Sequence, residues 1–544
     1  MSASVSRVGV VGLGTMGAGI AEVLARGGHS VVGVEVNDDA LQRGRDHLER
    51  STGRAVRRGR LSEEDKAAIL GRMELGTSFA GLAECDLVIE AVPERLDLKR
   101  RVFEELDKVC RPDAVLATNT SSLSVTEIAA ATGRPEQIVG VHFFNPAPVM
   151  KLVEVIHTVL TRPEALTAVQ ELVGGLGKVA VTVGDRAGFI ANRLLFGYLN
   201  QAAGMYEAGY ATREDIDAAM TSTGLPMGPL TLMDLIGLDV SLEVCEAIYR
   251  ETRDRRHAPA PILRRLVTAG LLGRKTGRGF YTYDGAEQAE ERETEGVPSV
   301  GVAGSGPLAV AVIQAAVRAG ADVRFVAGDD DKARAVRDAV GEEVTGGTDL
   351  SLLADRDLIV EAVAEDTAVK RSLLAAVDDV AREGAVLATT GATVPVIELA
   401  MATDRPQDVV GLHLPDPEGG LAELVSTVLT DPGVAERAAA YLTRLGKRPV
   451  RSADRAGFIV DALRVPYLND AVRMLESGYA DADAIDAAMT YGCGYPIGPI
   501  ADLDRIGLDR AVEVLRALYT EYREPAFAPA PLLDRLRTAG ATFR

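Results

Sequence analysis

Two residues of this chain have the spacing and setting of a proton-transfer pair. His142 closes a short apolar run, Ile138–Val141, and Glu154 lies twelve residues further on, inside another, Leu152–Ile156. A carboxylate within such a run is expensive to bury unless it is paired. An imidazole opposite it answers that cost. In return the carboxylate fixes the ring tautomer and steadies the imidazolium formed when histidine takes a proton. Upstream, Gly12-Leu13-Gly14-Thr15-Met16-Gly17 reads GxGxxG. In a chain with 55 glycines that pattern alone says little. Here it follows an apolar run, Arg7–Val11, and opens an amphipathic stretch. In that context Gly12 suits a tight turn, Gly14 lets a pyrophosphate approach the backbone, and Gly17 allows close helix–strand contact. The helix N-terminus would then offer N–H groups and a positive dipole end to phosphates. A second run, Ser30–Val36, carries Glu35 near its end. A carboxylate there accepts hydrogen bonds from ribose hydroxyls and repels a 2′-phosphate, which favours NAD over NADP.

Positioning these groups requires an open sheet. Arg7–Leu13, Gly17–Arg26 and Ser30–Val36 alternate strand-like and helix-like patterns, the mark of strand–helix–strand units and a parallel sheet. His142 would sit at the carboxyl end of its strand, the edge where such sheets bind ligands. Beyond about residue 186 the strand signals stop, and Ala-rich helical stretches follow, such as Arg193–Glu207 and Thr212–Thr221. The whole pattern then recurs. Arg186-Ala187-Gly188-Phe189-Ile190 returns as Arg455-Ala456-Gly457-Phe458-Ile459, and Ile216-Asp217-Ala218-Ala219-Met220 as Ile485-Asp486-Ala487-Ala488-Met489. Matched runs of that length indicate tandem duplication. The expected fold class is α/β plus α: a Rossmann-type nucleotide-binding domain followed by an all-helical domain, the pair repeated twice. The boundaries fall at 1–185 and 186–285 for the first unit. A Glu-rich linker at 286–297 leads to a degenerate Rossmann-like domain at 298–454 and a truncated helical domain at 455–544.

From Arg7 to about Tyr283 the first unit resembles the short-chain 3-hydroxyacyl-CoA dehydrogenase family, which includes 3-hydroxybutyryl-CoA dehydrogenases. The carriers are the glycine loop, Glu90-Ala91-Val92-Pro93-Glu94, Thr118-Asn119-Thr120-Ser121-Ser122-Leu123, the segment from His142 to Glu154, Arg186-Ala187-Gly188-Phe189-Ile190-Ala191-Asn192-Arg193, and Gly273-Arg274-Lys275-Thr276-Gly277-Arg278-Gly279-Phe280-Tyr281. The resemblance implies that His142 abstracts the 3-hydroxyl proton with Glu154 orienting it. It also implies that Ser121 hydrogen-bonds the reacting oxygen, that Asn192 holds the carbonyl side of the substrate, and that Glu94, Lys99, Ser121, Asn145 and Lys275 contact NAD. Dehydrogenases of the 3-hydroxyisobutyrate and 6-phosphogluconate type use a catalytic lysine, whereas this chain offers His and Glu.

Charge locates the carrier. The chain has a formal net charge of -20, which argues against nucleic acid or an anionic membrane as a partner. Yet seven arginines, Arg43, Arg45, Arg50, Arg54, Arg57, Arg58 and Arg60, crowd residues 43–60 against only Asp46 and Glu49. Such an island suits the phosphates of CoA. By resemblance Ser51 and Arg58 fall at the CoA contacts, with Arg where the family commonly has Lys.

The second unit diverges at these positions. Its loop reads Gly304-Ser305-Gly306-Pro307-Leu308-Ala309, Ala327 replaces Glu35, and the arginine-rich stretch is missing. His413 and, with a two-residue gap, Glu423 match the pair, but Ser121 becomes Ala392, Asn145 becomes Asp416 and Asn192 becomes Asp461. The second unit is therefore expected to be a catalytically silent copy that supplies a dimer-like surface. The protein would then be a homo-oligomer or an intramolecular pseudo-dimer. Cys85, Cys110, Cys245 and Cys493 fit no metal-binding spacing or disulfide framework, and no secretory signal or membrane-length apolar run is visible, which together suggest a cytoplasmic protein. The expected activity is reversible NAD-dependent oxidation of a short-chain (3S)-hydroxyacyl-CoA, foremost 3-hydroxybutyryl-CoA, as in fatty acid metabolism. The alternatives are 3-hydroxyadipyl-CoA, a carrier-protein-bound hydroxyacyl group, or a non-catalytic NAD-binding scaffold.

Overall fold

The computed structural model describes residues 5–283, 296–341 and 344–544. Most of the linker expected at 286–297 lies outside the described residues. The first unit builds one eight-stranded sheet from β1 (Arg7–Val11), β2 (Ser30–Val34), β3 (Met73–Gly76), β4 (Leu87–Glu90), β5 (Val115–Thr118), β6 (Ile138–Phe143), β7 (Leu152–His157) and β8 (Val179–Gly184), in the order β3-β2-β1-β4-β5-β6-β7-β8. Strands β1, β4, β5 and β6 are buried along nearly their whole length. Helices cover both faces of such strands, so their sequences read as unbroken apolar runs.

The expectation of a parallel sheet needs one correction: β6 and β7 run antiparallel. Residues 144–151 are too few for the crossover of a dozen or more residues that a parallel return requires. The reversal has a direct result, because it sets His142 opposite Glu154 in the ladder register.

Between β2 and β3 the helix Asp38–Arg57 starts on the Asn37 side chain, which accepts from the Ala40 N–H at 2.8 Å. Its buried residues are Ala40, Gly44, Leu48 and Thr52, each four positions apart. That stripe is narrow, so most of the helix surface, including its arginines, remains outside the core.

Five helices of eight residues or more follow β8: Ala191–Glu207, Arg213–Thr221, Pro229–Ile236, Leu238–Thr252 and Pro261–Thr268. The segment from Gly273 to Tyr281 folds back onto them. Asp234 accepts from the backbone N–H groups of Phe280 and Tyr281, both at 2.9 Å.

The second unit repeats the sheet with β9 (Val300–Ala303), β10 (Val323–Val326), β11 (Thr345–Gly347), β12 (Leu358–Glu361), β13 (Val386–Thr390), β14 (Val409–His413), β15 (Leu421–Ser426) and β16 (Arg448–Ala453), in the order β11-β10-β9-β12-β13-β14-β15-β16. Between β10 and β11 the described chain holds one helix of 11 residues, Asp330–Val340, where the first unit has helices of 20 and 9.

The two helical regions share one core. Leu199, Ala203, Cys245 and Leu263 belong to the same buried cluster as Leu468, Val472, Leu515 and Leu533. The Gln201 side chain crosses the boundary to donate to the Ala462 carbonyl at 2.6 Å. The match between units slips by one residue between Met489 and Gly498, and the extra residue is taken up by a π turn at Ala488–Gly492. That turn sits on the first unit's β6–β7 connection. A Cβ at Gly492 would meet Leu152 Cδ2 at 2.6 Å and Phe144 Cε1 at 3.4 Å, so any larger residue there must displace the Leu152 side chain.

Candidate active site

A cleft of about 830 Å³ opens at the carboxyl ends of β1, β2, β4 and β5. The strand order reverses between β1 and β4, which makes this a topological switch point, the usual binding crevice of such sheets. Its floor is the loop Gly12–Met16. Gly12 adopts φ +86°, a left-handed turn suited to glycine. A Cβ on Gly17 would lie 1.7 Å from the Gly12 carbonyl oxygen, whereas one on Gly14 would meet nothing within 4 Å. The first packs helix against turn; the second leaves an open cradle beneath the helix N-terminus. That cradle fits a dinucleotide pyrophosphate.

Glu35 lines the cleft just past β2 and accepts from the Leu13 N–H at 2.6 Å and the Val36 N–H at 2.9 Å. This places its carboxylate beside the glycine loop, where a ribose would lie. Glu35→Ala should weaken NADH binding about tenfold, the value of one hydrogen bond to a charged group. Fluorescence titration of NADH checks this, and unchanged affinity would refute the role.

Glu94 also lines the cleft, but its main partners are protein groups. It accepts from Thr120 Oγ1 at 2.5 Å and from the N–H groups of Ser121 and Ser122 at 2.8 and 3.1 Å. Burial pushes this carboxyl up, but Lys99 and the three donors outweigh it and hold the group below its ordinary range. Glu94 therefore clamps the loop that carries Ser121 into the cleft.

For Lys99 the resemblance implies a contact with NAD. Its side chain is 0% exposed and ion-paired to Glu90 at 2.8 Å, with a further bond to the Asn119 carbonyl at 3.1 Å. The second unit, which has lost the Glu35 acceptor, keeps the same arrangement, Lys370 to Glu361 at 2.8 Å and to the Thr390 carbonyl at 2.7 Å. Lys99 thus supports the cleft from behind.

The His142–Glu154 pair is assembled from three elements. His142 Nδ1 lies 2.7 Å from Glu154 Oε2. A carboxylate accepts only, so Nδ1 carries the hydrogen and Nε2 is left bare to take a proton. The other oxygen of Glu154 accepts from the N–H groups of Ile190 and Ala191, both at 3.0 Å, at the start of the helix Ala191–Glu207. Two donors and a helix dipole stabilise this fully buried carboxylate. Phe144 and Phe189 flank the imidazole at ring distances of 4.5 and 5.6 Å. Phe189 holds φ +45°, a strained value for an aromatic residue, to bring its ring there. Asn192 follows Ala191 on the same helix. Asn119 links cleft and pair: it lines the cleft, and its Oδ1 accepts from the Phe143 N–H at 3.0 Å.

Other expected residues lie around this centre. Lys275 is exposed and bonded to Asp239 at 2.6 Å, at the start of the helix whose Val240, Glu243 and Val244 line the cleft. Asn145 is exposed just beyond β6, at a cis Asn145–Pro146 bond. Ser51 is half-buried on the arginine-bearing helix, and Arg58 is exposed at its C-cap, two turns away. Arg43 and His47 from that helix reach the cleft wall. The motifs did not single out His47, Asn119 or Glu243; Asn119 lay within a quoted motif, and the other two carry no local signal.

The second unit shows what the same frame becomes when altered. His413 still bonds Glu423 from across the ladder. Asp461, in the place of Asn192, lies 3.9 Å from His413 Nε2. Arg510, in the place of Val240, bridges Asp461 at 2.8 Å and Glu365 at 2.5 Å. Burial alone would push the His413 pKa down, but Glu423 and Asp461 together raise it. This imidazole sits in an ion-pair network with Glu423, Asp461 and Arg510 that favours its cation, which makes it a poorer base than a ring with a bare nitrogen.

The description "3-hydroxyacyl-CoA dehydrogenase, NAD binding domain" matches residues 7–186 and 333–455. "3-hydroxyacyl-CoA dehydrogenase, C-terminal domain" matches 188–283 and 457–544. The chain is 46% identical over 287 residues to a 3-hydroxybutyryl-CoA dehydrogenase of Mycobacterium tuberculosis, covering 52% of this chain and 100% of the relative. It is 34% identical over 536 residues to a 3-hydroxyadipyl-CoA dehydrogenase of Escherichia coli (strain K12), covering 98% of each. A crystal structure of 3-hydroxybutyryl-CoA dehydrogenase from Escherichia coli K12 superposes over 99% of both chains, with a TM-score of 0.76 and 32% identity.

Proposed function

The chain belongs to the 3-hydroxyacyl-CoA dehydrogenase family, and on that premise we propose that its first unit oxidises short-chain (3S)-hydroxyacyl-CoA esters, reversibly and with NAD. The carrying observation is the His142–Glu154 pair, buried and bonded, beside a cleft that presents an open glycine cradle and Ser121. NAD, when bound, supplies the hydride acceptor. His142 Nε2 takes the proton of the 3-hydroxyl, and Glu154 balances the imidazolium that results. Ser121 and Asn192 are neutral donors able to follow a hydroxyl as it becomes a carbonyl. Glu35, Glu94, Asn145 and Lys275 border the dinucleotide, with Lys99 acting through Glu94. Ser51 and Arg58 on the basic helix receive the CoA phosphates. A reducing, cytoplasmic setting suits the four unpaired cysteines.

3-Hydroxybutyryl-CoA is the favoured substrate. A second reading, 3-hydroxyadipyl-CoA, is favoured by the similarity to the Escherichia coli relative along nearly the full chain. A panel of acetoacetyl-CoA and 3-oxoadipyl-CoA with NADH and NADPH, followed at the nicotinamide absorbance, separates the two. Consumption of NADH with neither ester would sink both readings if it is also absent with longer 3-oxoacyl chains.

The second unit is the silent partner of an intramolecular pseudo-dimer. Ala392 in place of Ser121, the Arg510 bridge and the missing arginine-rich stretch each support this. His413→Ala should leave kcat within about twofold of the parent enzyme, as expected for a group outside the reacting centre. A larger fall in steady-state kcat, with the fold intact, would show that the second site works.

A further inference from the structure

A cavity of about 170 Å³ lies where the helix Ala191–Glu207 and the turn Arg255–His257 of the first unit meet the helix Val460–Glu476 of the second. Four arginines line it, Arg186, Arg193, Arg256 and Arg473, with a single carboxylate, Asp470. Arg256 pairs with Asp470 and with Asp254. Arg473 donates to the carbonyls of Pro525 and Ala528 at 2.9 and 2.7 Å. Arg186 lies over the Tyr479 ring at 4.6 Å. Among the described residues the Arg193 guanidinium has no hydrogen-bond or ion-pair partner. His257, 2% exposed, also faces this space. Its Nε2 pairs with the Arg193 carbonyl at 2.9 Å, and its Nδ1 is buried with no partner.

These charges are not a requirement of packing at such a junction. At the corresponding place on the other side of the pseudo-dimer, Ala462 stands for Arg193, Ala526 for Arg256, Phe527 for His257 and Gly204 for Arg473. Of the four arginines only Arg186 keeps a counterpart, Arg455, so the cluster as a whole exists only on the side of the intact His142–Glu154 pair. Four guanidinium groups against Asp470 and Asp254 leave two positive charges, which balance the two negative charges of a monohydrogen phosphate ion. Arginine forks match phosphate oxygens, and the phosphate hydroxyl suits a bare imidazole acceptor.

We propose that this cavity is a binding site for a phosphate group, separate from the dinucleotide cleft and the CoA helix. Arg193 directly follows Asn192 on the helix whose first N–H groups hold Glu154. A phosphate here ties that helix to the second unit and stiffens the support of the catalytic pair. Burial and the neighbouring arginines push the His257 imidazole down to about 4, so the ring is neutral and its free nitrogen accepts.

Titration calorimetry on the full chain tests this, in phosphate-free buffer with NADH saturating the cleft. Inorganic phosphate should bind at one site with a dissociation constant of about 0.1–1 mM. Arg193→Gln should weaken it at least tenfold and Arg58→Gln should not change it. Should Arg193→Gln fail to fold, Arg473→Gln on the opposite wall reads the same loss. AMP forms the second arm: binding of phosphate alone assigns the site to the free ion, and binding of both to a phosphate monoester as well. Absence of saturable binding, or binding that Arg58→Gln removes and Arg193→Gln and Arg473→Gln leave intact, would overturn the proposal.

Discussion

Replacing His142 with Ala should lower kcat for 3-hydroxyacyl-CoA oxidation by about a thousandfold, within the range that general-base catalysis contributes. KM should change much less, because in the proposed mechanism the substrate is held by the CoA helix and Asn192, which the substitution does not touch. The expectation rests on one bare nitrogen. Nδ1 is committed to Glu154 at 2.7 Å, and the other Glu154 oxygen is committed to the N–H groups of Ile190 and Ala191. No other imidazole stands in that position, since His413 belongs to the second sheet. Stopped-flow measurement of NADH formation in a single turnover separates the chemical step from product release. A chemical rate within tenfold of the parent enzyme would remove His142 from the mechanism. Glu154→Gln should also be strongly impaired, because the amide would present the wrong hydrogen-bonding partner to Nδ1–H or leave the imidazolium unbalanced.

The largest effect on folding is expected from Lys99→Met. Lys99 and Glu90 are both 0% exposed and bonded at 2.8 Å, and Glu90 also accepts from Thr118 Oγ1 at 2.7 Å and from the Val92 N–H at 2.6 Å. Removing the ammonium strands a carboxylate in the core. Breaking a buried pair in this way costs about 3–5 kcal/mol, and the first transition in a thermal melt should fall by roughly 10 °C. The second substitution Glu90→Gln should restore part of the loss by deleting the stranded charge. A melt within a degree or two of the parent would show that water or rearrangement reaches the site. NADH affinity should fall only through the loosened Glu94 loop, not through loss of a direct contact.

The Lys99 result shows where the sequence was readable and where it was not. His142 and Glu154 declared themselves because each is a polar residue in an apolar run, and the physics of burial asks for a partner. The glycine loop was readable because Gly12 and Gly17 satisfy steric needs that only glycine meets. The antiparallel turn between β6 and β7 was implicit in the short connection 144–151, yet the surrounding alternation of strands and helices pointed to a parallel sheet. Lys99 lies in the helix Leu96–Val109, whose outer face is charged. Its burial follows from the position of Glu90 on the neighbouring strand, a tertiary fact without a local signature. Arg510 was hidden for the same reason. Its counterpart Val240 is an ordinary aliphatic on a helix, and the ion-pair bridge appears only when Asp461 and Glu365 are brought to it from two other elements.

The π turn at Ala488–Gly492 bears on how such a protein can change. Where two identical subunits associate, every codon gained is expressed on both sides of their contact, and each novelty must be tolerated twice. A covalent tandem escapes that rule. One added residue reshapes the surface laid against Phe144 and Leu152, while the reciprocal contact follows its own course, with Ala218 and Thr221 facing a β14–β15 connection two residues shorter. Fusion therefore gives this enzyme a form of independent inheritance: the half proposed to be silent is free to be tailored, residue by residue, to the half with the intact site.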